Sequence, residues 1–494
     1  MTEQPQESEF GLTKSLLYGS LITVSFFVIL EVVAHFWEYS DVEAEMARKV
    51  TGPQVPGSYR VFLFGGSTME GVHVPEYGFA HQLEFWLRRL HPDKNLEVYN
   101  FGRAGRDSGY VRRKIETTIG HDPDLVIVLS GHNEFLWPYV EQMPNKIMAR
   151  FAVTRSAMRK LERFLTPGKD EVESVRYEPY ERDTPLFAAK LETYQANLNH
   201  IASLTEAHDV PLLLLTAPAN IADWPPMFRR SHRDGEPFTG LLDRIQRGDP
   251  AEAQAAVAQF VSANPNDARA AFLRGQMQLK LADYEGAYHS LQRARELDAM
   301  PWRALSAMNH MVRDISARTE AHLVDIEQVF EQHAERRLVG RQLVSDNCHP
   351  APLGSALMAQ AVLQTMQQAG YFVSKEPPNH DASSLLSTYL GQYDQSRENQ
   401  LAANFQLLNG VYAMKPPFFN YQAAISFLEG ASRLNPERWN IWANLGTAHL
   451  FDGDVDLGHA LLERAAELRG EPIDADTKAV PFLQEALDAA ATRS

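Results

Sequence analysis

Five short, nearly uninterrupted apolar runs set the strongest constraint on how this chain folds. They are VFLF (61–64), LEVY (96–99), LVIVL (125–129), PLLLL (211–215) and LVDI (323–326). A strand that meets solvent on one face alternates apolar and polar residues. Runs of this kind suit strands buried on both faces, as in a parallel sheet covered by helices. Helical patterns separate them, as at 79–90 and 191–208, and the alternation predicts a doubly wound α/β domain.

Two regions break that pattern with a 34-residue periodicity. In the first, Ala253 and Ala287 stand one period apart, as do Pro265 and Ala299, with Gly275, Leu291, Ala294 and Leu297 between or beyond them. In the second, Ala424, Leu428, Ala431, Leu434 and Pro436 close one unit, and Trp442, Leu445, Gly446, Leu462, Ala465 and Leu468 form the next. Small residues at such spacing let paired helices approach closely, and the pattern resembles the tetratricopeptide repeat. The alternative is a generic alanine-rich amphipathic helix.

Mean hydropathy is −0.32, yet residues 15–37 read SLLYGSLITVSFFVILEVVAHFW, with Glu31 as the only charge. As a helix this stretch would reach roughly 34 Å, enough to cross a hydrocarbon core of about 30 Å. The start is acidic (Glu3, Glu7, Glu9) and no Ala-x-Ala follows, which argues against a cleaved signal peptide. The expectation is an uncleaved single-span anchor. Residues 38–57, punctuated by Gly52, Pro53, Pro56 and Gly57, read as a spacer.

Composition mainly excludes. A net charge of −16 (47 Lys+Arg against 63 Asp+Glu) speaks against nucleic acid as a partner. The single cysteine, Cys348, rules out an internal disulfide framework or a CxxC metal knuckle, and no HExxH pattern occurs. No metal or cofactor is therefore expected.

The chemistry gathers where the runs end. Gly65-Gly66-Ser67-Thr68 follows the first, Asn100-Phe-Gly-Arg-Ala-Gly105 the second, and Ser130-Gly-His-Asn133-Glu134 the third. Asp346-Asn-Cys-His349-Pro350 precedes a helical pattern at 351–371. An ester-cleaving serine needs a base, a carboxylate that holds the base's tautomer, and donors for the oxyanion. Ser67, His349 and Asp346 can fill the first three roles. The backbone N–H groups of Ser67 and Gly105 and the amide of Asn133 can supply the donors. Each residue also has a structural alternative: Ser67 and Asp346 as helix caps, Asn133 as a turn residue, His349 as a buried structural histidine. Phe135, Trp137 and Trp224 can line a substrate groove or lie in the core. The basic stretch from Lys146 to Arg163 can rest on anionic lipid or form a solvated helix face.

These four blocks, in this order, resemble the SGNH (GDSL-type) hydrolase superfamily. Ser67 matches its nucleophile, Gly105 and Asn133 its glycine and asparagine, and Asp346 and His349 its final Asp-x-x-His. The resemblance implies a flavodoxin-like three-layer α/β/α fold and ester hydrolysis or acyl transfer. It departs from the family at Gly66 and Glu134, where aspartate is usual. The fused repeats and the apolar span are similar to a bacterial, membrane-anchored subgroup.

The expected organisation is a tail (1–14), an anchor (15–37), a linker (38–57), a hydrolase domain in two pieces (58–235 and 305–372), an inserted repeat region (236–304) and a C-terminal repeat region (385–494). Flanking charges (Lys14 before the span, Arg48 and Lys49 after it) do not decide orientation. The resemblance favours a body on the periplasmic face. The expected activity is a serine esterase, deacetylase or acyltransferase acting on an acylated lipid or glycan, with a protein partner on the repeats. The alternative is a repeat-based scaffold whose hydrolase domain is inactive or secondary.

Overall fold

In the computed structural model the described residues are 54–136, 182, 184–227, 236–248, 250–371, 381–415, 418–474 and 477–492. The expected anchor at 15–37, Trp137 and the basic stretch from Lys146 to Arg163 lie outside them. Among the described residues no helix is long and apolar enough to cross a membrane. The chain divides into two compact units. The larger comprises residues 54–115, 121–136 and 177–494, and only 116–120 of the other are described.

All five apolar runs form strands: β1 (Ser58–Gly65), β2 (Asn95–Asn100), β3 (Leu125–Leu129), β4 (Leu212–Leu215) and β5 (His322–Val324). They make one sheet in the order β2-β1-β3-β4-β5, with every pairing parallel. This is the flavodoxin-like order, in which the chain reverses direction across the sheet between β1 and β3 and leaves a crevice at the strands' carboxyl ends. β5 is shorter than its apolar run because the Asp325 side chain accepts the Gln328 N–H and starts a helix at Ile326. A capping carboxylate there offers the backbone a better partner than further pairing.

Burial on both faces follows the pleat. Val61, Leu63, Leu125, Ile127, Leu129, Leu213 and Leu215 share one core with α2 (Phe79–Leu90) and α11 (Pro352–Gln368). The alternating residues Phe62, Phe64, Val126, Val128, Leu212 and Leu214 are equally buried on the opposite face. There α4 (Pro185–Ala207) and α9 (Ser306–Arg318) pack together. Two shorter helices complete the α/β part near the strand ends: α1 (Ser67–Glu70) and α3 (Ser108–Thr118). α10 (Ile326–His333) leads on from β5.

The segment between β4 and β5 begins with four helices: α5 (Glu236–Arg247), α6 (Pro250–Ala263), α7 (Ala268–Lys280) and α8 (Tyr284–Leu297). They share a small core of Phe238, Ile245, Val257, Phe272, Leu273 and Leu291. Beyond α11 the chain is again helical, with α12 (Ala382–Leu390), α13 (Gln395–Met414), α14 (Tyr421–Leu434), α15 (Trp439–Asp452), α16 (Val455–Arg469) and α17 (Leu483–Ala491). Side chains of Asp267, Asp283, Asp381, Asp394, Asn420 and Asp454 cap six of these helices (α7, α8, α12, α13, α14 and α16), so those starts are written locally in the sequence.

Candidate active site

β1 delivers Ser67 to the carboxyl edge of the sheet. Its last residue pairs with the end of β3, and the backbone turns through Gly66 into α1. A Cβ at position 66 would strike Asn133 Nδ2 and come within 3.1 Å of the Arg106 carbonyl, so a side chain there would displace the Asn133 amide. The glycine that departs from the family pattern therefore admits the second and third blocks to the serine.

Those blocks are held by their own hydrogen bonds. Asn100 donates its amide to the Met69 carbonyl at 2.7 Å, and Glu70 accepts the Ala104 N–H at 2.6 Å, which fixes the second loop against α1. Gly105 follows with φ +72°, a left-handed conformation that suits glycine. Asn133 donates to the Arg106 carbonyl at 2.9 Å. Glu134, the other departure from the family, accepts from the Ser108 N–H, the Ser108 hydroxyl and the Ser130 hydroxyl at 2.9, 2.8 and 3.1 Å. Burial, and then the charge of Asp107, push its pKa up to about 7.

From the far end of the domain comes a tight turn. Asp346 Oδ1 accepts the backbone N–H groups of Cys348 and His349 at 2.9 and 2.8 Å, and Ser345 N–H donates back to the His349 carbonyl at 2.8 Å. Asp346 is thus occupied within its own turn. The following helix begins at Pro352 with Ala351 as its N-cap, so the capping alternative for Asp346 does not hold. His349 Nδ1 lies 2.6 Å from Asp346 Oδ2, and His349 Nε2 lies 2.7 Å from Ser67 Oγ. A residue near the start of the domain and two near its end stand in hydrogen-bonded series.

Burial governs the electrostatics. It would raise the Asp346 pKa, but the His349 charge and hydrogen bonds from His349 and His73 outweigh it and hold the carboxyl far below its usual range. Burial alone would lower the His349 pKa, but Asp346 overcomes this and raises it well above the ordinary histidine value. His132, with Nδ1 accepting the Ala304 N–H at 3.1 Å, is pushed down to about 3 by burial and then by the His349 charge. Burial also raises the Cys348 thiol, which makes it a poor nucleophile; its backbone N–H serves the Asp346 turn instead.

For two of the groove candidates the core alternative holds. Phe135 is 2% exposed and stacks on Phe187 with ring centroids 4.9 Å apart, and Trp224 is 1% exposed beneath Phe418. Both are interior side chains, so neither presents a face to an open groove. Conversely, His73 and Tyr412 were not singled out from the sequence, yet both belong to the site. His73 Nε2 lies 3.1 Å from Asp346 Oδ2, and the Tyr412 ring meets both histidine rings. His73 stands six residues after Ser67, where a polar residue in the loop following the nucleophile was the available signal. Tyr412 had none.

His73, Asp346 and His349 each place one potential metal-ligand atom within 4.8 Å of the others. Both ring nitrogens of His349 are already engaged, one by Asp346 and one by Ser67, so the donor set suits proton transfer better than metal binding.

A parallel sheet of this order, with serine, histidine and aspartate linked at its carboxyl edge, has the layout of a serine hydrolase site. Solved structures similar to this chain include an α/β hydrolase enzyme, LAE5, from the metagenome of Lake Arreo (14% identity, 64% of this chain and 98% of that one, TM-score 0.31). Others are the acetylxylan esterase Axe2 from Geobacillus stearothermophilus (15%, 65% and 99%, TM-score 0.32) and a GDSL-like lipase from Bacteroides thetaiotaomicron (13%, 68% and 98%, TM-score 0.30). Similarity this distant carries no argument about mechanism. No family model matches the sequence, and no curated protein matches it.

Proposed function

We propose that the chain is a serine ester hydrolase of the SGNH type, with Ser67 as nucleophile, His349 as general base and Asp346 as the group that orients and charges the base. The observation that carries the reading is the unbroken series from Ser67 Oγ through His349 to Asp346, at 2.7 and 2.6 Å. His349 takes the Ser67 proton through Nε2 while its Nδ1–H remains on Asp346, and the serine oxygen attacks the ester carbonyl. The negative charge that develops on the carbonyl oxygen is met by the Ser67 and Gly105 N–H groups and the Asn133 amide. His349 then returns the proton to the departing alcohol. Water repeats the sequence on the acyl-enzyme, or a sugar hydroxyl does so in a transferase.

The apolar span at 15–37 is read as an anchor that holds the body at a membrane, on the periplasmic face, and this location favours an acylated lipid or glycan as substrate. The helical regions at 236–304 and 385–494 are read as tetratricopeptide-like repeats that bind a protein partner.

Labelling with a fluorophosphonate probe tests the activity. The wild type is expected to label and Ser67→Ala to lose labelling at the same protein concentration. Equal and negligible labelling of both, beside a control hydrolase that reacts, refutes the enzyme reading and leaves the scaffold reading. A series of nitrophenyl esters from acetyl to long-chain then ranks the acyl groups.

A further inference from the structure

Asp346 serves two histidines. Its Oδ1 is filled by two backbone N–H groups, and its Oδ2 faces His349 Nδ1 at 2.6 Å and His73 Nε2 at 3.1 Å. In the usual division of labour among serine, histidine and aspartate, the carboxylate answers to a single imidazole. Here a second imidazole draws on the same oxygen.

The loop that carries His73 is gripped by a helix from the far end of the chain. Val74 and Tyr77 share a small core with Leu401 and Phe405 of α13, the Tyr77 and Phe405 ring centroids being 5.6 Å apart. Arg397 of α13 pairs with Glu76 at 2.7 Å, and the Tyr389 hydroxyl of α12 donates to the Glu76 carbonyl. In its last turn, α13 places Tyr412 against the reacting groups. Its ring lies edge-on to His73 at 4.8 Å and to His349 at 5.6 Å, while the two histidine rings are 5.2 Å apart. Phe418, packed on Tyr412 at 4.6 Å, rests in turn on Trp224 and Trp302, both at 5.5 Å. The buried aromatic residue expected to line a groove is thus part of the support behind Tyr412.

We propose that His73 is a positioning residue of the relay, sharing the Asp346 carboxylate with His349, and that α13 holds it there through Tyr412. The proposal rests on the serine-hydrolase reading above and makes the C-terminal helical region part of the catalytic centre. Burial lowers the His73 pKa, the bond to Asp346 opposes this, and the charges of His349 and Lys415 lower it further. The groups that face it are therefore Asp346 and His349 from the turn, and Tyr412 and Lys415 from α13 and the residue after it. Neutral His73 donates its Nε2–H to Asp346. That bond is strongest when the carboxylate carries its full charge, which is when His349 is neutral. His73 thus favours the neutral, proton-accepting form of the base and restrains the rise that Asp346 imposes on it.

Only the difference in this bond between the two charge states of His349 acts on the base, so the expected shift is at most about one pKa unit. The rate of fluorophosphonate labelling against pH, on the full chain, reads it directly. In the wild type the rate should rise with pH as His349 loses its proton. His73→Phe keeps a ring but no donor, and should move the midpoint upward by about half a unit to one unit. His73→Gln carries an amide nitrogen near the position of Nε2 and should bring the midpoint back toward the wild type. Tyr412→Ala should shift it in the same direction as His73→Phe. If His73→Phe fails to fold, as judged by its thermal melt, His73→Asn, too short to reach Asp346, replaces it in the comparison with His73→Gln. Midpoints equal to wild type in the donor-free variants overturn the proposal, even where their labelling is slower, and a raised midpoint that His73→Gln does not bring back also overturns it, because loosened packing and not the lost donor then sets the shift. Failure of the wild type to label above Ser67→Ala overturns the hydrolase reading and this proposal with it.

Discussion

Replacing Asp346 with asparagine probes the site most sharply, because the structure dictates which way the new amide must face. The carboxylate accepts four donors: the Cys348 and His349 N–H groups on Oδ1, and the two imidazoles on Oδ2. Asparagine offers one carbonyl oxygen and one NH2 group. The backbone N–H groups cannot turn away, whereas each imidazole can move its proton to the other ring nitrogen. The oxygen should therefore stay on the backbone side and the NH2 should face His349 Nδ1. His349 then becomes the acceptor at Nδ1 and the donor at Nε2, and it points a proton at Ser67 where it must receive one. The imidazolium also loses its buried counter-charge. A base in the wrong tautomer without its carboxylate loses about 10⁴ in kcat, or about 5 kcal/mol of transition-state stabilisation. Because each imidazole can turn an acceptor nitrogen to the new amide, no two donors need face each other there, and the fold should survive. The assay is kcat for nitrophenyl acetate hydrolysis beside the rate of fluorophosphonate labelling, with a thermal melt to confirm folding. A folded Asp346→Asn protein that works within about tenfold of wild type would refute the reasoning, since another group would then be orienting the base.

Two further outcomes follow from the same geometry. Gly66→Ala places a methyl group against Asn133 Nδ2 and the Arg106 carbonyl, so the amide must swing away from the developing oxyanion. Loss of one such donor costs about 10²–10³ in kcat; partial displacement should cost at least about tenfold with little change in melting temperature, and unchanged kcat would sever Asn133 from the oxyanion. Glu134, buried and with a pKa near 7 in the folded chain, has an unfolded value of about 4.3. The folded state therefore binds more protons between those values, and stability should fall as pH rises from about 4.3 to 7, by up to about 4 kcal/mol. Glu134→Gln removes that slope, so chemical unfolding at pH 5 and pH 8 should show the variant gaining on wild type at the higher pH; parallel curves would contradict the assignment.

Much of the fold was legible because it rests on local pattern. Apolar runs marked the five strands, and parallel pairing follows from the helices between them. The run at 323–326 was cut short in β5 because Asp325 caps a helix. Ser67, Asn133 and the Asp346–His349 turn were legible because each sits where a buried run or a turn ends, a place the sequence marks with glycine and polar residues. Orientation of aromatic side chains was not legible. Phe135, beside the third block, and Trp224, after the fourth strand, both point inward, since position in the chain says nothing about which neighbours cover a ring.

By itself, then, the sequence marked the strands, their parallel class and the candidate serine, histidine and aspartate, all of which depend on residues a few positions apart. Only the tertiary structure decided that the serine meets the histidine across 282 residues of chain, that His73 shares the aspartate, and that Tyr412 from the C-terminal helices closes against both rings. Those contacts join segments whose separation leaves no periodicity to read, and they exist because burial of apolar surface brings the segments together.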